Sequence, residues 1–412
     1  MDLEILGATT INRKTLVNGL KQLKYFRTGT PTLPILDHLS LRTSDGSLII
    51  KRIDSGMEGS ISVKIQPYGI SGEIDICVKE TNLAQLINSV KSDGVEIKAG
   101  TYLEELETSE YDDNGNHVGY KTIVKQHTGV QIIGGNNTFK CKALPGEEFP
   151  KWRDDDDAEE QETLWSGFVN WGEFVNEMKF VIRASSCDMP KNYTYGVLFL
   201  PNGNNNLNIV GTDGRRLHST KLGEVRGDDK TPALLPSKLI KSFMRAGFDK
   251  SESITFTLKE NMMTWWIGDY SGSFVLLDTP YPDYEKVIPE ECGASFTFEP
   301  KEAIQVLEPL VIIAKQDDGR DMVVVRANSK IRFSAKAESM GEGDGEMNCV
   351  RIGGEHEMVT ALNIFSLLDA LRSAVEIDAN LIMTQEGSLE PVRFDYPETE
   401  RISVIMPVRL PE

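Results

Sequence analysis

The feature of this sequence that most limits its fold is an internal repetition. Apolar residues recur at the spacing of amphipathic helices in six segments, two in each third of the chain. Strand-like runs lie between them, so the order helix, strands, helix, strands occurs three times. The six segments are residues 12–27, 80–93, 172–185, 236–250, 300–316 and 361–375. We therefore expect an α+β fold of three repeated domains.

Turn residues join the strand-like runs in pairs. Alternating apolar runs on either side of a short Asp-Gly or Asn-Ser step are typical of hairpins. Because hairpins connect antiparallel strands, each domain is predicted to pack two helices on antiparallel sheets. Such runs occupy residues 39–50, 197–217, 254–277 and 322–335.

Two polar stretches mark departures from the repeat. Residues 153–162 are almost entirely acidic, and such a block repels itself and stays solvated. We predict an acidic linker at 153–165 between domains at 1–152 and 166–291, with a third domain at 292–412. A second polar stretch around Asp112 and Gly115 predicts the tip of a hairpin insertion at about 101–130.

Composition is that of an ordinary globular protein, with 40% hydrophobic and 26% charged residues. No apolar run approaches the roughly 20 residues that cross a bilayer. The N-terminus lacks the basic and apolar regions of a signal peptide. These observations predict a cytoplasmic protein.

The residues that usually carry catalysis or bind metals show no functional pattern. The five cysteines are widely spaced without a Cys-x-x-Cys pair, and the five histidines lack ligand spacing. We predict reduced thiols, no metal, no cofactor and no catalytic activity. An enzyme that uses paired carboxylates stays open as an alternative. Its candidates are Asp283, Glu285, Asp317 and Asp318.

Charge is segregated along the chain. The net charge is -19, which by itself argues against nucleic-acid binding. The six helical segments nevertheless hold 15 basic and 8 acidic residues, a net of +7, and leave -26 for the remainder. Residues 12–27 contain five basic residues and no acid. Basic helices on an acidic body indicate a local surface for a polyanion, although a single such helix is more often a solvated face.

Several ordered stretches resemble the bacterial DNA polymerase III β subunit, the sliding clamp family. In the first third, the stretches are Thr-Pro-Thr-Leu-Pro-Ile-Leu at 30–36 and residues 139–150. Thr-Asp-Gly-Arg-Arg-Leu at 212–217 is similar to the family's Thr-Asp-Gly-His-Arg-Leu, and residues 281–289 resemble its next motif. The last stretch, 404–410, is close to the family's Met-Pro-Met-Arg-Leu ending.

The resemblance implies two chains closing head to tail into a ring around duplex DNA, with helices lining the hole. It implies contacts to phosphates without sequence preference, and a homodimer interface that includes Cys141 and Ile313. The implied DNA-facing residues are Lys14, Lys21, Lys24, Arg27, Lys191, Tyr193, Lys238, Lys241 and Arg245.

The resemblance also implies a pocket that takes a short apolar peptide from a polymerase, a clamp loader or another partner. Apolar side chains would form its floor, and Arg216 and Arg409 would pair with acidic or backbone groups of the peptide. Its residues would be Thr194, Thr212, Gly214, Arg215, Arg216, Leu217, Pro282, Lys286, Val287, Asn363, Val404, Ile405, Met406, Pro407, Val408, Arg409 and Leu410.

Some positions depart from the family pattern. Arg215 replaces the usual histidine, and we expect it to change peptide preference. Pro309 lies inside the segment 300–316 and is expected to kink or end that helix. The altered pocket, the acidic linker and Pro309 leave a second function open, a clamp-like scaffold or decoy that binds replication proteins without encircling DNA.

Overall fold

The computed structural model describes residues 2–111, 117–152, 162–186, 196–203, 205–227, 230–290, 293–315 and 321–409. Their contacts divide the chain into two units. Unit 1 comprises Met1–Ser166 and Lys238–Leu276, and unit 2 comprises Gly167–Ser237 and Leu277–Glu412. Most of the predicted acidic linker lies outside the described residues.

Each of the six predicted helical segments overlaps an α-helix. The helices are α1 (Arg13–Tyr25), α2 (Glu80–Ser89), α3 (Trp171–Ile182), α4 (Ser237–Phe243), α5 (Pro300–Ala314) and α6 (Ile364–Glu376). Short 3-10 helices span Pro34–Asp37, Gly146–Glu148 and Glu285–Val287. Among the described residues, none of these helices is long and apolar enough to span a membrane.

Helix α4 is shorter than the predicted segment 236–250. After its end at Phe243 the chain tightens, because the Ala246 N–H donates to the Phe243 carbonyl at 2.9 Å. This bond spans three residues rather than the four of an α-helix, so the helical repeat is broken.

The same N-terminal cap begins three helices. Asn12, Asn170 and Asn363 precede α1, α3 and α6, and each accepts bonds from two backbone N–H groups of the first turn. A side-chain oxygen at this position satisfies donors that the helix itself leaves unpaired. The repetition seen in the sequence therefore recurs in the local chemistry of the helix starts.

Helix α5 runs through Pro309 without ending. Proline removes one backbone donor from a helix interior, but the helix continues for five residues to Ala314. Buried residues on both sides of Pro309, including Leu307 and Leu310, hold the helix against its unit. Of the two effects expected of Pro309, ending the helix is wrong, and a kink stays a prediction.

The strands occupy most of the remaining described chain. They are β1 (Glu4–Asn12), β2 (His38–Ser44), β3 (Ser47–Ile53), β4 (Gly59–Ile65), β5 (Gly69–Gly72), β6 (Asp75–Lys79), β7 (Gly94–Tyr111), β8 (His117–Gly134), β9 (Asn137–Pro145), β10 (Trp165–Asn170), β11 (Gly196–Pro201), β12 (Leu207–Thr212), β13 (Arg216–Leu222), β14 (Glu224–Arg226), β15 (Ala233–Pro236), β16 (Ser253–Leu258), β17 (Met262–Ile267), β18 (Tyr270–Val275), β19 (Ala294–Phe298), β20 (Met322–Ala327), β21 (Lys330–Ala337), β22 (Gly341–Asn348), β23 (Val350–Gly353), β24 (Met358–Asn363), β25 (Leu381–Gln385), β26 (Val392–Asp395) and β27 (Ile402–Ile405).

Unit 1 contains a continuous hydrogen-bonded run of strands in the order β16-β17-β18-β4-β3-β2-β6-β9-β8-β7-β1-β5. The described pairs are antiparallel. Between β2 and β3, Asp45 and Gly46 both have positive φ, which matches the twist of a tight hairpin. Strands β7 and β8 form a long hairpin, whose predicted tip at 112–115 lies outside the described residues.

Unit 2 contains two antiparallel sheets. One has nine strands in the order β15-β11-β12-β13-β27-β26-β25-β19-β23, and the other has four in the order β22-β21-β20-β24. Alternation along β20 and β21 buries every second side chain, as expected for a sheet with one face on the core. The nine-stranded sheet places β13 beside β27, two strands that lie far apart in sequence.

Candidate functional site

The turn between β12 and β13 is held by its own side chains. Gly214 has a φ of 83°, a conformation that glycine adopts without strain. Asp213 Oδ1 accepts bonds from the backbone N–H groups of Arg215 and Arg216, at 2.9 and 3.1 Å. The Thr212 hydroxyl donates to the Arg216 carbonyl at 2.7 Å. These bonds fix the backbone of the turn from within.

The C-terminal segment lies directly beside this turn. Strand β27 pairs with β13 so that Val404 faces Leu217 across the two strands. The Met406 N–H then donates to the Arg215 carbonyl at 2.8 Å, and the Val408 N–H donates to the Ala361 carbonyl at 2.8 Å. The sequence motifs at 212–217 and 404–410 are therefore neighbours in the sheet of unit 2.

These two segments and residues 282–287 enclose a cavity of about 150 Å³. Leu217 and Val404 form a buried floor, with exposures of 3% and 1%. Val287 and Met406 are 37% and 39% exposed, so they remain accessible at the edge. The lining residues are Thr212, Gly214, Arg216, Leu217, Pro282, Asp283, Tyr284, Val287, Val404 and Met406. The cavity is thus mainly apolar and open to solvent, as a site for short apolar groups requires.

Arg216 is bonded within the chain. Its Nε donates to Asp213 Oδ2 at 3.1 Å, and its Nη1 donates to Asp369 Oδ2 on α6 at 2.6 Å. The side chain is only 16% exposed. Two carboxylates of unit 2 thus each accept one N–H of the guanidinium, and pairing of Arg216 with a peptide stays a prediction. Arg216 therefore contributes to the cavity mainly as a fixed wall.

Several other predicted pocket residues do not line the cavity. Asn363 caps α6, and Lys286 pairs with Asp283 at 2.7 Å on the surface. Ile405 points away from Val404, because successive side chains of a strand face opposite sides. The structure also places Arg215, Pro407, Val408 and Arg409 outside the lining. Thr194 and Leu410 lie outside the described residues.

Asp283 and Tyr284 also line the cavity, although neither was predicted as a pocket residue from the motif at 281–289. Tyr284 is buried against Leu217 and Val404 in one apolar cluster. Its hydroxyl accepts a bond from Asn208 Nδ2 at 3.3 Å. Burial raises the pKa of Tyr284, so the ring stays neutral and supports the cavity wall.

A buried histidine lies directly behind the cavity floor. His218 on β13 is fully buried and stacks on Phe180 with ring centroids 4.6 Å apart. Its Nδ1 lies 2.8 Å from the Phe180 carbonyl, the geometry of an Nδ1–H donor bond. Burial lowers the pKa of His218 to about 3. The imidazole is therefore neutral at physiological pH and structural in role.

Predicted DNA-facing residues come together in unit 1. One face of α1 is buried and contains Leu16, Leu20 and Leu23. The opposite face is exposed and contains Lys14, Lys21 and Lys24. The region after α4 is bonded to the same helix: Gln22 Nε2 donates to the Gly247 carbonyl at 3.1 Å. The Ser242 hydroxyl donates to the Arg27 carbonyl at 2.8 Å. The basic surface is here defined as the predicted residues on these two bonded segments, Lys14, Lys21, Lys24, Arg27, Lys238, Lys241 and Arg245. Within it, Arg27 pairs with Asp37 at 3.0 Å.

The remaining predicted residues are placed as follows. Lys191 and Tyr193 lie outside the described residues, as do Asp317 and Asp318. Cys141 on β9 and Ile313 on α5 are both partly exposed.

Burial raises the pKa of the Cys141 thiol and that of Cys77 to about 12, which keeps both protonated and unreactive. In the part of the chain that the structure describes, no group of three potential metal ligands comes together.

Sequence comparisons identify related proteins along nearly the whole chain. No protein-family model matches it. The β sliding clamp of Escherichia coli strain K12 is 23% identical over 412 aligned residues, which cover 97% of this chain and 99% of the relative. The β sliding clamp of Treponema pallidum strain Nichols is 24% identical over 277 residues, which cover 66% of this chain and 71% of the relative.

Solved structures show the same fold. The DNA polymerase III β subunit of Thermotoga maritima covers 98% of this chain and 100% of its own, with a TM-score of 0.77 and 19% identity. A Pseudomonas aeruginosa DNA polymerase III β subunit bound to griselimycin gives a TM-score of 0.79 at 18% identity over the same shares. The predicted α+β clamp fold is thereby confirmed. In sequence and in fold this chain is similar to bacterial β sliding clamps, the β subunits of DNA polymerase III.

Proposed function

We propose that this protein is a homodimeric ring that encircles duplex DNA and tethers the replicative polymerase and other partners. The observation that carries the proposal is the relationship to β sliding clamps over 97% of the chain. As in the prediction from sequence, the ring is built from three domains per chain at 1–152, 166–291 and 292–412. A cytoplasmic location belongs to the same proposal.

The basic surface of unit 1 supports the DNA-binding part of this proposal. Three lysines of α1 are exposed, and no described residue bonds their ammonium groups. Charges that the chain leaves unpaired are available to phosphates, and long lysine side chains give contacts without sequence preference. The acidic remainder of the chain would limit adhesion of DNA elsewhere.

The cavity of unit 2 supports the tethering part. Apolar side chains of a partner peptide would contact the floor formed by Leu217 and Val404, and the exposed edge at Val287 and Met406 leaves an entrance. Burial of two or three such side chains yields about 3 to 8 kcal/mol before ordering costs. A cavity of this size therefore suits partners of moderate affinity, including polymerase and clamp-loader peptides.

Ring closure is the part that an experiment tests most directly. The protein is loaded by a clamp loader on nicked circular DNA, the circle is cut, and the retained protein is measured before and after. Retention on circles and loss from linear DNA is the expected result. A shift of the dimer to monomer after Ile313→Asp, measured by light scattering, would support the interface at Ile313 and Cys141.

The result that would contradict the ring is equal retention on circular and linear DNA. A monomer that binds peptides but is retained on neither form would favour the scaffold or decoy function.

A further inference from the structure

The long hairpin of β7 and β8 in unit 1 extends beyond the strands that flank it. Strand β1 pairs with β7 only as far as Thr101, and β9 pairs with β8 only as far as Thr128. Beyond these points, among the described residues, β7 and β8 pair with each other alone. We call this two-stranded extension, residues 102–111 and 117–127, the arm.

The two faces of β7, β8 and β9 differ in charge. Successive side chains of a strand alternate between faces, and directly opposed residues share a face. The registers therefore place all five lysines of these strands on one face, and the strands contain no arginine. We call the opposite face the lysine-free face. The five lysines are Lys98, Lys121, Lys125, Lys140 and Lys142.

The lysine-free face is buried near the core of unit 1 and uncovered on the arm. Ile97 and Ile132, which oppose each other on this face, are fully buried. Farther out on the same face, Leu103, Tyr120 and Val124 are 70%, 71% and 58% exposed. Exposed apolar side chains that continue a buried face provide a surface on which another element can pack.

The acidic side chains of this face are not compensated by the chain. Glu105 and Glu107 lie on it, two residues apart. Neither forms an ion pair with a described residue, whereas Glu104 on the other face pairs with Lys142 at 3.3 Å. The described part of the lysine-free face on the arm therefore carries two negative charges and no positive one, so basic groups complement it.

At the base of the arm, the same face borders a cavity of about 380 Å³. Two carboxylates, Glu73 and Asp75, line this cavity. Arg42 on β2 lies directly opposite Asp75, and His127, which also lines the cavity, pairs with Glu104 at 3.2 Å. Glu73 has no ion pair in the described chain, so the cavity adds a negative charge and room for an apolar anchor. The residues of the lysine-free face that line it are Ala99, Thr101, Gln126 and Thr128.

The shape and charge of this surface favour a protein helix as its occupant. A helix covers the face of a sheet, whereas an added strand would use an edge. Residues 103–109 span about 20 Å, which is the length of a helix of about 13 residues. Because glutamates repel the phosphates of nucleic acid, the complement is a helix with lysines or arginines beside an apolar stripe.

We propose that the lysine-free face of the arm is a docking surface for a basic amphipathic helix of a partner protein. Apolar side chains of that helix pack on Leu103, Tyr120 and Val124, and its basic side chains pair with Glu105 and Glu107. This surface lies in unit 1 and is separate from the cavity of unit 2, so the proposal goes beyond the proposed tethering function and does not depend on it.

The test uses two synthetic helical peptides of about 14 residues with the same leucine stripe, one flanked by lysines and the other by glutamates. Their affinities for the full-length protein are measured by fluorescence polarisation at low and high salt. We expect the lysine peptide to bind about tenfold more tightly than the glutamate peptide, and high salt to reduce the preference by screening. Since the whole chain has a net charge of -19, variants are needed to locate the binding.

The first variant removes the charges of the arm face. Glu105→Gln combined with Glu107→Gln should weaken the lysine peptide about fivefold, as expected for two exposed ion pairs. The matched control is Glu355→Gln combined with Glu357→Gln, which removes two exposed carboxylates at the same spacing outside the arm. This control should keep the affinity of the full-length protein.

The second variant removes the apolar contacts. Leu103→Thr combined with Val124→Thr should weaken the lysine peptide about tenfold, because less apolar surface is buried. Thermal unfolding should not change, since both side chains are exposed and threonine suits a strand.

Four results would overturn the proposal. They are equal affinity for the two peptides, unchanged binding of the lysine peptide in both arm variants, and an equal loss in the control variant, which would show a general charge effect. The fourth is self-association of the native protein that disappears in the apolar variant, because the face would then pair copies of this chain. Retention on circular DNA tests the ring separately, so either proposal can fail alone.

Discussion

The basic surface of α1 and the turn beside the cavity use positive charge in different ways. Lys14, Lys21 and Lys24 extend from a helix into solvent, and described residues do not bond their ammonium groups. Arg216, in contrast, is held by two aspartates and is 16% exposed. Mobile charges suit a partner that slides, whereas a fixed guanidinium suits a site that must keep its shape. The difference indicates that residue type and net charge alone do not separate these functions.

The largest expected difference between the two regions is their response to acid. His218 behind the cavity has its pKa lowered to about 3, against 6.5 for the ordinary group. The unfolded chain therefore binds one more proton between these values, and stability falls as pH drops from about 6.5 towards 3. The expected loss is about 1.4 kcal/mol per pH unit from this residue.

This effect is measured by unfolding the protein in urea at several pH values between 7 and 4. The fluorescence of unit 2 reports the unfolding. His218→Asn keeps an N–H donor near the Phe180 carbonyl but does not titrate, so it serves as the control. The gap in unfolding free energy between native protein and variant should narrow as pH falls. Parallel pH profiles would show that His218 is not responsible.

The second prediction concerns the exposed lysines. Replacement of Lys14, Lys21 and Lys24 by Gln should weaken DNA binding about 100-fold near physiological salt and lower the salt slope by about 3. Stability should not change, because the three side chains are exposed. The measurement is DNA affinity across a salt series. A matched variant neutralises Lys121, Lys125 and Lys142 on β8 and β9, and an equal loss there would remove α1 as the DNA surface.

The third prediction concerns the cavity edge. Met406→Ala should weaken binding of an apolar peptide by about 1 to 2 kcal/mol with little effect on stability, because Met406 is 39% exposed. Leu217→Ala should weaken binding too, but it should also cost about 2 to 5 kcal/mol of stability, because Leu217 is buried. Calorimetry gives both affinities, and thermal unfolding separates the variants. Unchanged affinity in Met406→Ala would contradict the site.

The smallest effect is expected at Lys286. It is 82% exposed and bonded only to Asp283 among the described residues, and exposed pairs contribute little. Lys286→Ala should change the affinity for a neutral peptide by less than about twofold. Affinity is measured by calorimetry. A larger change would show that Lys286 belongs to the peptide site, as the sequence motif predicted.

Local patterns predicted much of the fold, and distant pairings explain what they missed. Helical spacing located the six α-helices of the described residues, but the early end of α4 depends on a tight turn that apolar spacing does not reveal. The motifs at 212–217 and 404–410 include Leu217, Val404 and Met406, which line the cavity. The internal role of Arg216 could not be predicted, since Asp369 lies on α6, far along the chain. Strand alternation would have excluded Ile405 had the start of β27 been known.

The pairing of β13 with β27 has a consequence for how the protein is made. One wall of the cavity is formed by residues 212–217, and the other includes Val404 and Met406, almost two hundred positions later. During translation the first wall leaves the ribosome long before its counterpart exists. A nascent or prematurely terminated chain that does not yet include residues 404–406 therefore lacks the cavity.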